Sequence, residues 1–276
     1  MHSSNRSLRG GCNADEAISR RDCNAFGLPM TPFSLQGERF HLTQREGIKH
    51  NEFKIFYAKE HEDMEQLERW FREKQVERTI QALKKNNFEA LYVPDSKTAF
   101  EEVMKQIPDG ATVGIGGSVT LAQIGLTEAL GKRKIQFIWP QQQAKSDQER
   151  LELFRKCFSA DIFLSSTNAV TEDGKLYNVD ATGNRVGAMF IGPKKTIIVC
   201  GVNKIVKDLE AAEKRVREWA APQNAKRLNR KTPCVETGVC ADCSSPDRIC
   251  NIYVSLAKKP VRTEVVVILV GENLGL

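Results

Sequence analysis

The chain has 276 residues, 41% hydrophobic and 28% charged, with a formal net charge of +6. That size can bury a core without disulfide or metal staples, and no apolar run reaches the roughly 20 residues of a membrane span. Much of the excess charge lies within 204–231, which suits an anionic small molecule or acidic partner. No aromatic-interleaved basic patch points to nucleic acid.

Residues 1–49 are rich in Ser, Arg, Asn and Gly and show no hydrophobic period. They read as a disordered arm that lacks the apolar h-region of a secretory signal, so the expected compartment is the cytoplasm. From residue 50 the pattern changes. Leu67 with Phe71, and Val76 with Ile80 and Leu83, fall at helical spacing and predict an amphipathic helix over 63–85. A strand over 90–93 is closed by Pro94, and Thr98 with Glu101 reads as a capping box for a helix reaching Ile107.

Thr112 and Val113 then enter Gly114, Gly116 and Gly117, and Leu121, Ile124 and Leu130 leave at helical spacing. This is a strand, a Gly-rich turn and a helix N-terminus, with Ser118 as N-cap and Thr120 in the first turn. Glycine permits positive φ and close approach of a ligand, and the open N–H groups of such a junction favour an anion. Gly114, Gly116, Gly117, Ser118 and Thr120 are therefore candidate ligand-binding residues. The alternative is a tight turn whose glycines only let the helix pack on the sheet.

Further strands are expected over 135–139, 160–164, 187–191, 196–202 and 262–270, with Gly192-Pro193 as a turn between the third and fourth of these. Helices are expected over 146–159 and over 206–221, the second stopped by Pro222. Strands and helices alternate, so the fold class is α/β with a mainly parallel sheet flanked by helices. Ligands of such sheets gather at the carboxyl ends of the strands.

The stretch 164–186 follows a strand and is crowded with functional groups. Asp173-Gly174 signals a hairpin between Ala169-Val170 and Leu176-Tyr177. Asn168, Asn178, Asn184 and Arg185 are candidate ligand-binding groups, and Glu172 and Asp180 are candidate proton-moving or nucleophilic carboxylates. A hairpin merely decorated with turn formers is the competing explanation. All four histidines (His2, His41, His50, His61) precede the expected core, which leaves a carboxylate or a cofactor as the catalytic agent.

Eight cysteines are present. Cys234, Cys240, Cys243 and Cys250 fall within a Cys-rich segment, 231–252, with spacing x5, x2 and x6 among turn formers. Four thiolates so placed suit tetrahedral zinc or an iron–sulfur cluster, and otherwise form a redox pair or free thiols. Cys157 and Cys200 lie in apolar elements and are expected in the core.

Gly114-Ile-Gly-Gly-Ser-Val-Thr120, Ser159-Ala-Asp-Ile-Phe-Leu164, the stretch 168–180, Gly183-Asn-Arg185 and Gly201-Val-Asn-Lys204 together resemble the LUD-domain (lactate utilization, DUF162) family. The resemblance spans about residues 50–276. It implies a fold like that of ribose-5-phosphate isomerase, glucosamine-6-phosphate deaminase and the CoA transferases. It also implies a part in oxidising L-lactate or a similar organic acid beside iron–sulfur partner subunits. Thr171-Glu-Asp-Gly174 is loosely similar to the Glu-containing loop of CoA transferases, which would make Glu172 a nucleophile. Two alternatives stand beside this. One is a separate isomerase, transferase or ligase acting on a phosphorylated or CoA-linked metabolite. The other is a non-catalytic ligand sensor or scaffold.

Overall fold

α1 (His50–Lys85) starts earlier than its apolar pattern suggested. The computed structural model describes residues 50–276, with side chains from Lys59 onward apart from Glu60 and His61. The expected arm over 1–49 lies outside the described residues. The chain divides after Phe53, and Lys54–Leu276 is the unit that holds the sheets and the candidate sites.

Near the end of α1, Val76, Thr79 and Leu83 are buried and join Phe88 and Ala90 against the sheet. Met64, Leu67, Trp70 and Phe71 are more than half exposed. Val76 follows Phe71 by five residues, a rotation of about 140° at 100° per residue. The two apolar groups that look continuous in sequence therefore sit on different faces, and only the second packs on the body.

β1 (Glu89–Val93) leads into α2 (Ser96–Lys105). Asp95, rather than Thr98, caps that helix, its carboxylate accepting the Thr98 N–H at 2.7 Å. β2 (Thr112–Ile115) is followed by two short helices, α3 (Val119–Gln123) and α4 (Leu126–Leu130), where one was expected. The break falls at Gly125, whose φ is +80°. β3 (Gln136–Ile138), α6 (Asp147–Cys157) and β4 (Ile162–Ser165) match the expected order, while α5 (Pro140–Gln143) is an additional short helix that Pro140 opens as it closes the strand.

A hairpin of β5 (Ala169–Thr171) and β6 (Leu176–Asp180) comes next, then α7 (Asn184–Phe190) where a strand was expected over 187–191. A short buried apolar run suits strand or helix equally. Here the carboxylate of Asp180 caps the first N–H groups and tips the choice to helix. β7 (Lys195–Gly201) passes through a single 3-10 turn, Val202–Lys204, into β8 (Ile205–Val206). α8 (Leu209–Arg215) runs through a π-helical turn, Val216–Ala220, into α9 (Ala221–Arg227). The missing N–H of Pro222 falls at the end of that wide turn, so the helix outlasts the proline meant to stop it. α10 (Pro233–Thr237), β9 (Ile252–Leu256) and β10 (Glu264–Val270) complete the chain.

Six strands form a wholly parallel sheet in the order β1-β10-β7-β4-β2-β3. Its central strands are apolar on both faces, as strands covered on both sides must be. In β10, Val266, Ile268 and Val270 pack with Ala99, Val103, Leu121 and Leu126 of α2–α4. Val265, Val267 and Leu269 pack with Val76 and Leu83 of α1 on the other face. A second sheet, β8-β5-β6-β9, is backed by Ala212, Val216 and Ala221. From β2 the chain moves outward to β3, then returns past β2 to β4. The crevice where connections part is thus between the ends of β2 and β4. No helix among the described residues is long and apolar enough to cross a membrane.

Candidate ligand site and cysteine ring

The Gly-rich junction leaves β2 at this crevice, with Gly116 N–H donating to Leu164 O of β4 at 3.1 Å. Positive φ is absent from Gly114, Gly116 and Gly117 alike. Their small size serves close packing instead. A Cβ on Gly114 would lie 3.0 Å from Cys157 Sγ, one on Gly116 3.0 Å from Arg185 Cγ, and one on Gly117 3.2 Å from Gln141 Nε2. Ser118 caps α3 by accepting the Leu121 N–H at 3.3 Å. With five residues, α3 has little macrodipole to offer an anion. Thr120 is buried and turns its hydroxyl inward.

The polar stretch 164–186 separates into two parts. Arg185, at the start of α7, places all five of its guanidinium N–H groups within the chain. Nε donates to Asp180 Oδ1 at 3.1 Å, Nη1 to Ser166 O at 3.0 Å and Asn178 Oδ1 at 2.7 Å, and Nη2 to Asn168 Oδ1 at 2.9 Å and Val179 O at 3.0 Å. Five donors is the whole inventory of an arginine side chain. Asp180, Asn168, Asn178 and Arg185 thus form a knot that fastens the hairpin to α7 and to the end of β4. Asn178 Nδ2 is buried with no partner among the described residues. Asn184 stands beside this knot, and its side chain makes no hydrogen bond among the described residues. Glu172 lies at the far end of the hairpin, accepting from Gln75 Nε2 at 2.9 Å and from Arg78 Nη2 at 3.1 Å on α1. The structure does not bring Glu172 to the Gly-rich junction.

What joins the two sequence stretches is Lys204, whose part in a site the pattern of residues did not single out. It ends the 3-10 turn after β7 and is only 4% exposed. Its ammonium donates to Thr120 Oγ1 at 3.1 Å, Ser166 Oγ at 3.0 Å and Thr167 O at 3.2 Å. Thr120 lies in the helix after β2, Ser166 and Thr167 follow β4, and the lysine itself follows β7, so three strands at the middle of the sheet meet here, and all three partners are neutral. The nearby Arg215 donates to Asn203 O, Asn168 O and Leu276 O. Its Nη2 has no partner among the described residues. In the sequence Lys204 is marked by the Gly201-Val-Asn-Lys204 motif of the family resemblance and by its apolar neighbours Val202, Ile205 and Val206.

Burial pushes the Lys204 ammonium down from the ordinary 10.5 to about 8; the nearby Cys200 thiol opposes this, while Arg215 and Arg185 add to it. Below about 8 both folded and unfolded chains hold the proton, and folding bears the full cost of the buried charge. Between about 8 and 10.5 the folded chain has lost the proton while the unfolded chain keeps it, so this group makes stability rise with pH. The stability of wild type relative to Lys204→Met, from urea unfolding at several pH values, is expected to increase across that window. A difference that stays flat would mean that Lys204 titrates normally.

The cysteines fall into two sets. Cys157 and Cys200 are buried, and burial raises their thiols to about 11 and about 12. Cys234, Cys240, Cys243 and Cys250 are half-buried and free of disulfides, and all four line one cavity floored by Ala221, Pro222 and Ala225 of α9. Burial, then the neighbouring Cys240, raises the Cys250 thiol to about 11. Arg248 ties the loop, donating to Cys250 O, Cys243 O and Asp242. Lys231 N–H donates to Asp247, closing the segment at its base. Among the described residues, no three His, Cys, Asp or Glu side chains converge closely enough to hold one metal ion. The thiols surround a space without meeting at a point.

A wholly parallel α/β sheet with polar groups gathered at its carboxyl edge, joined to a cysteine-bearing segment, defines the class of protein. A model of the LUD domain matches residues 76–270, from Val76 in α1 to Val270 at the end of β10, and the chain belongs to that family. The family is associated in general with lactate utilization. Among solved structures, the chain is similar to a DUF162 family protein from Deinococcus radiodurans. The two are 14% identical with a TM-score of 0.44, over 72% of this chain and 98% of that one. No curated protein sequence matches the chain.

Proposed function

We propose that the chain is a component of an L-lactate or related organic-acid oxidation system. In this reading it binds an anionic ligand at the carboxyl edge of the sheet and works beside iron–sulfur partner subunits. Cys234, Cys240, Cys243 and Cys250 hold an iron–sulfur cluster. The observation that carries the reading is the cysteine ring, four unpaired thiols around one cavity. Thiols spread around a space fit a polynuclear cluster better than a single zinc ion, which draws its ligands to about 2.3 Å. When bound, such a cluster would accept and pass on single electrons. Arg248 fixes the carbonyls of Cys243 and Cys250, and α9 shields one side from water. Glu172 and Asp180 have structural parts here, since each carboxylate is engaged by an arginine.

Anaerobic purification followed by iron, sulfide and zinc analysis, with a visible spectrum, tests this directly. Iron with broad visible absorbance, lost in Cys240→Ala/Cys243→Ala, is the expected result. Colourless protein with stoichiometric zinc would make the ring a structural knot. A folded chain with neither metal would sink the cluster.

A further inference from the structure

We infer that Lys204, Thr120 and Ser166 form a binding site for a small carboxylate anion, covered by the Leu274–Leu276 segment of the same chain. Three observations meet here. The first is a charge without a counter-charge. The Lys204 ammonium is buried, and its three hydrogen-bond partners are two hydroxyls and a carbonyl. A cross-tie between strands needs no charge, and an apolar side chain of similar volume would do it at lower cost. Arg185 and Arg215 add positive potential nearby, and the Asp180 carboxylate is committed to Arg185. Such a group calls for an anion, and uncompensated buried charges gather at functional sites.

The second is position. Thr120 follows β2 and Ser166 follows β4, so the lysine sits over the crevice where the chain's connections part, the usual place for a ligand in an open parallel sheet.

The third is what lies on it. Leu274 N–H donates to Asn203 Oδ1 at 3.0 Å, and Gly275 N–H to Gln123 Oε1 at 2.6 Å. Gly275 has φ +68°, and a Cβ there would stand 2.3 Å from Thr120 Oγ1 and 2.8 Å from Lys204 Nζ. A bare peptide unit therefore rests directly on the pair. It is planar and about as large as a three-carbon acid. Displacing it would uncover the Thr120 hydroxyl beside the Lys204 ammonium. The three N–H groups of that ammonium are already placed, so an anion there meets the hydroxyl's O–H and the positive charge behind it. One excess charge among hydroxyls suits a planar monoanion better than a phosphate dianion.

The inference rests on the organic-acid reading only for the choice of probes. Isothermal titration of the full chain with sodium L-lactate, sodium pyruvate and inorganic phosphate tests it, on wild type, Lys204→Met and Gly275→Val. At least one carboxylate is expected to bind wild type and to lose about tenfold or more in affinity in Lys204→Met, the result of removing the positive charge that faces the anion. Gly275→Val, which cannot keep the cover in place, is expected to bind severalfold more tightly, because less of the protein is held closed. Should Lys204→Met fail to melt cooperatively, Thr120→Val and Ser166→Ala are expected to weaken binding in the same direction. Carboxylate affinity unchanged in these variants, no carboxylate binding by wild type or Gly275→Val, or binding of phosphate alone would each overturn the inference. Iron plays no part in the titration, so a chain without a cluster still decides this question.

Discussion

Arg185→Leu is expected to lower the free energy of unfolding by about 3–5 kcal/mol, the usual cost of removing one partner from a buried ion pair. Arg185 and Asp180 are 12% and 11% exposed. The loss reaches past Asp180. Asn178 Oδ1 and the carbonyl oxygens of Ser166 and Val179 each lose a donor that water is poorly placed to replace. Arg185→Lys should recover little, because one ammonium on a flexible stem cannot reproduce five N–H groups in a fixed plane. Urea unfolding followed by circular dichroism measures both. A loss below about 1 kcal/mol for Arg185→Leu would show that the knot is open to solvent and worth no more than a surface pair.

Gly174→Ala comes next in expected size, at about 3 kcal/mol or more. Gly174 is the turn of the β5–β6 hairpin, with φ +79°. A Cβ there would fall 2.4 Å from the carbonyl carbon of Ala82 and 2.6 Å from Leu83 N, both backbone atoms of α1. Asn86 Nδ2 donates to Asp173 O and Gly174 O at 2.9 Å each, so helix and hairpin are locked where the methyl would intrude. Gly110→Ala separates the two causes. Gly110 has the same φ of +79°, and a Cβ there would meet nothing within 4 Å. It should therefore cost only the left-handed strain, about 1–2 kcal/mol. Equal losses in the two variants would mean that contact with α1 contributes nothing.

The alternation of apolar runs was enough to make the sheet and most of its helices legible, because strands such as β10 are buried on both faces and read as unbroken β-branched stretches. Elements decided by one tertiary contact were not. Residues 187–191 could form either strand or helix until Asp180 reached their first N–H groups, and β9 shows its purpose only against β6. The candidate site was half visible for a related reason. Thr120 and Ser166 lie in stretches that composition marks as functional, whereas Lys204 takes its meaning from burial and from neighbours 84 and 38 positions away. The glycines of the junction were conspicuous for a property, positive φ, that the backbone does not use there. Arg185 promised a free clamp, and only the folded hairpin reveals that its donors are filled.

Residues 62–74 of α1 are exposed throughout. A helical stretch left to itself is marginal in water below about 12–15 residues. Its amide protons should therefore trade with deuterated solvent within the time set by local fraying. Those near Val76 and Leu83, held on the sheet, should wait for larger openings of the body. One uninterrupted helix thus has a fast end and a slow end, and the change comes where its apolar residues move to the other face.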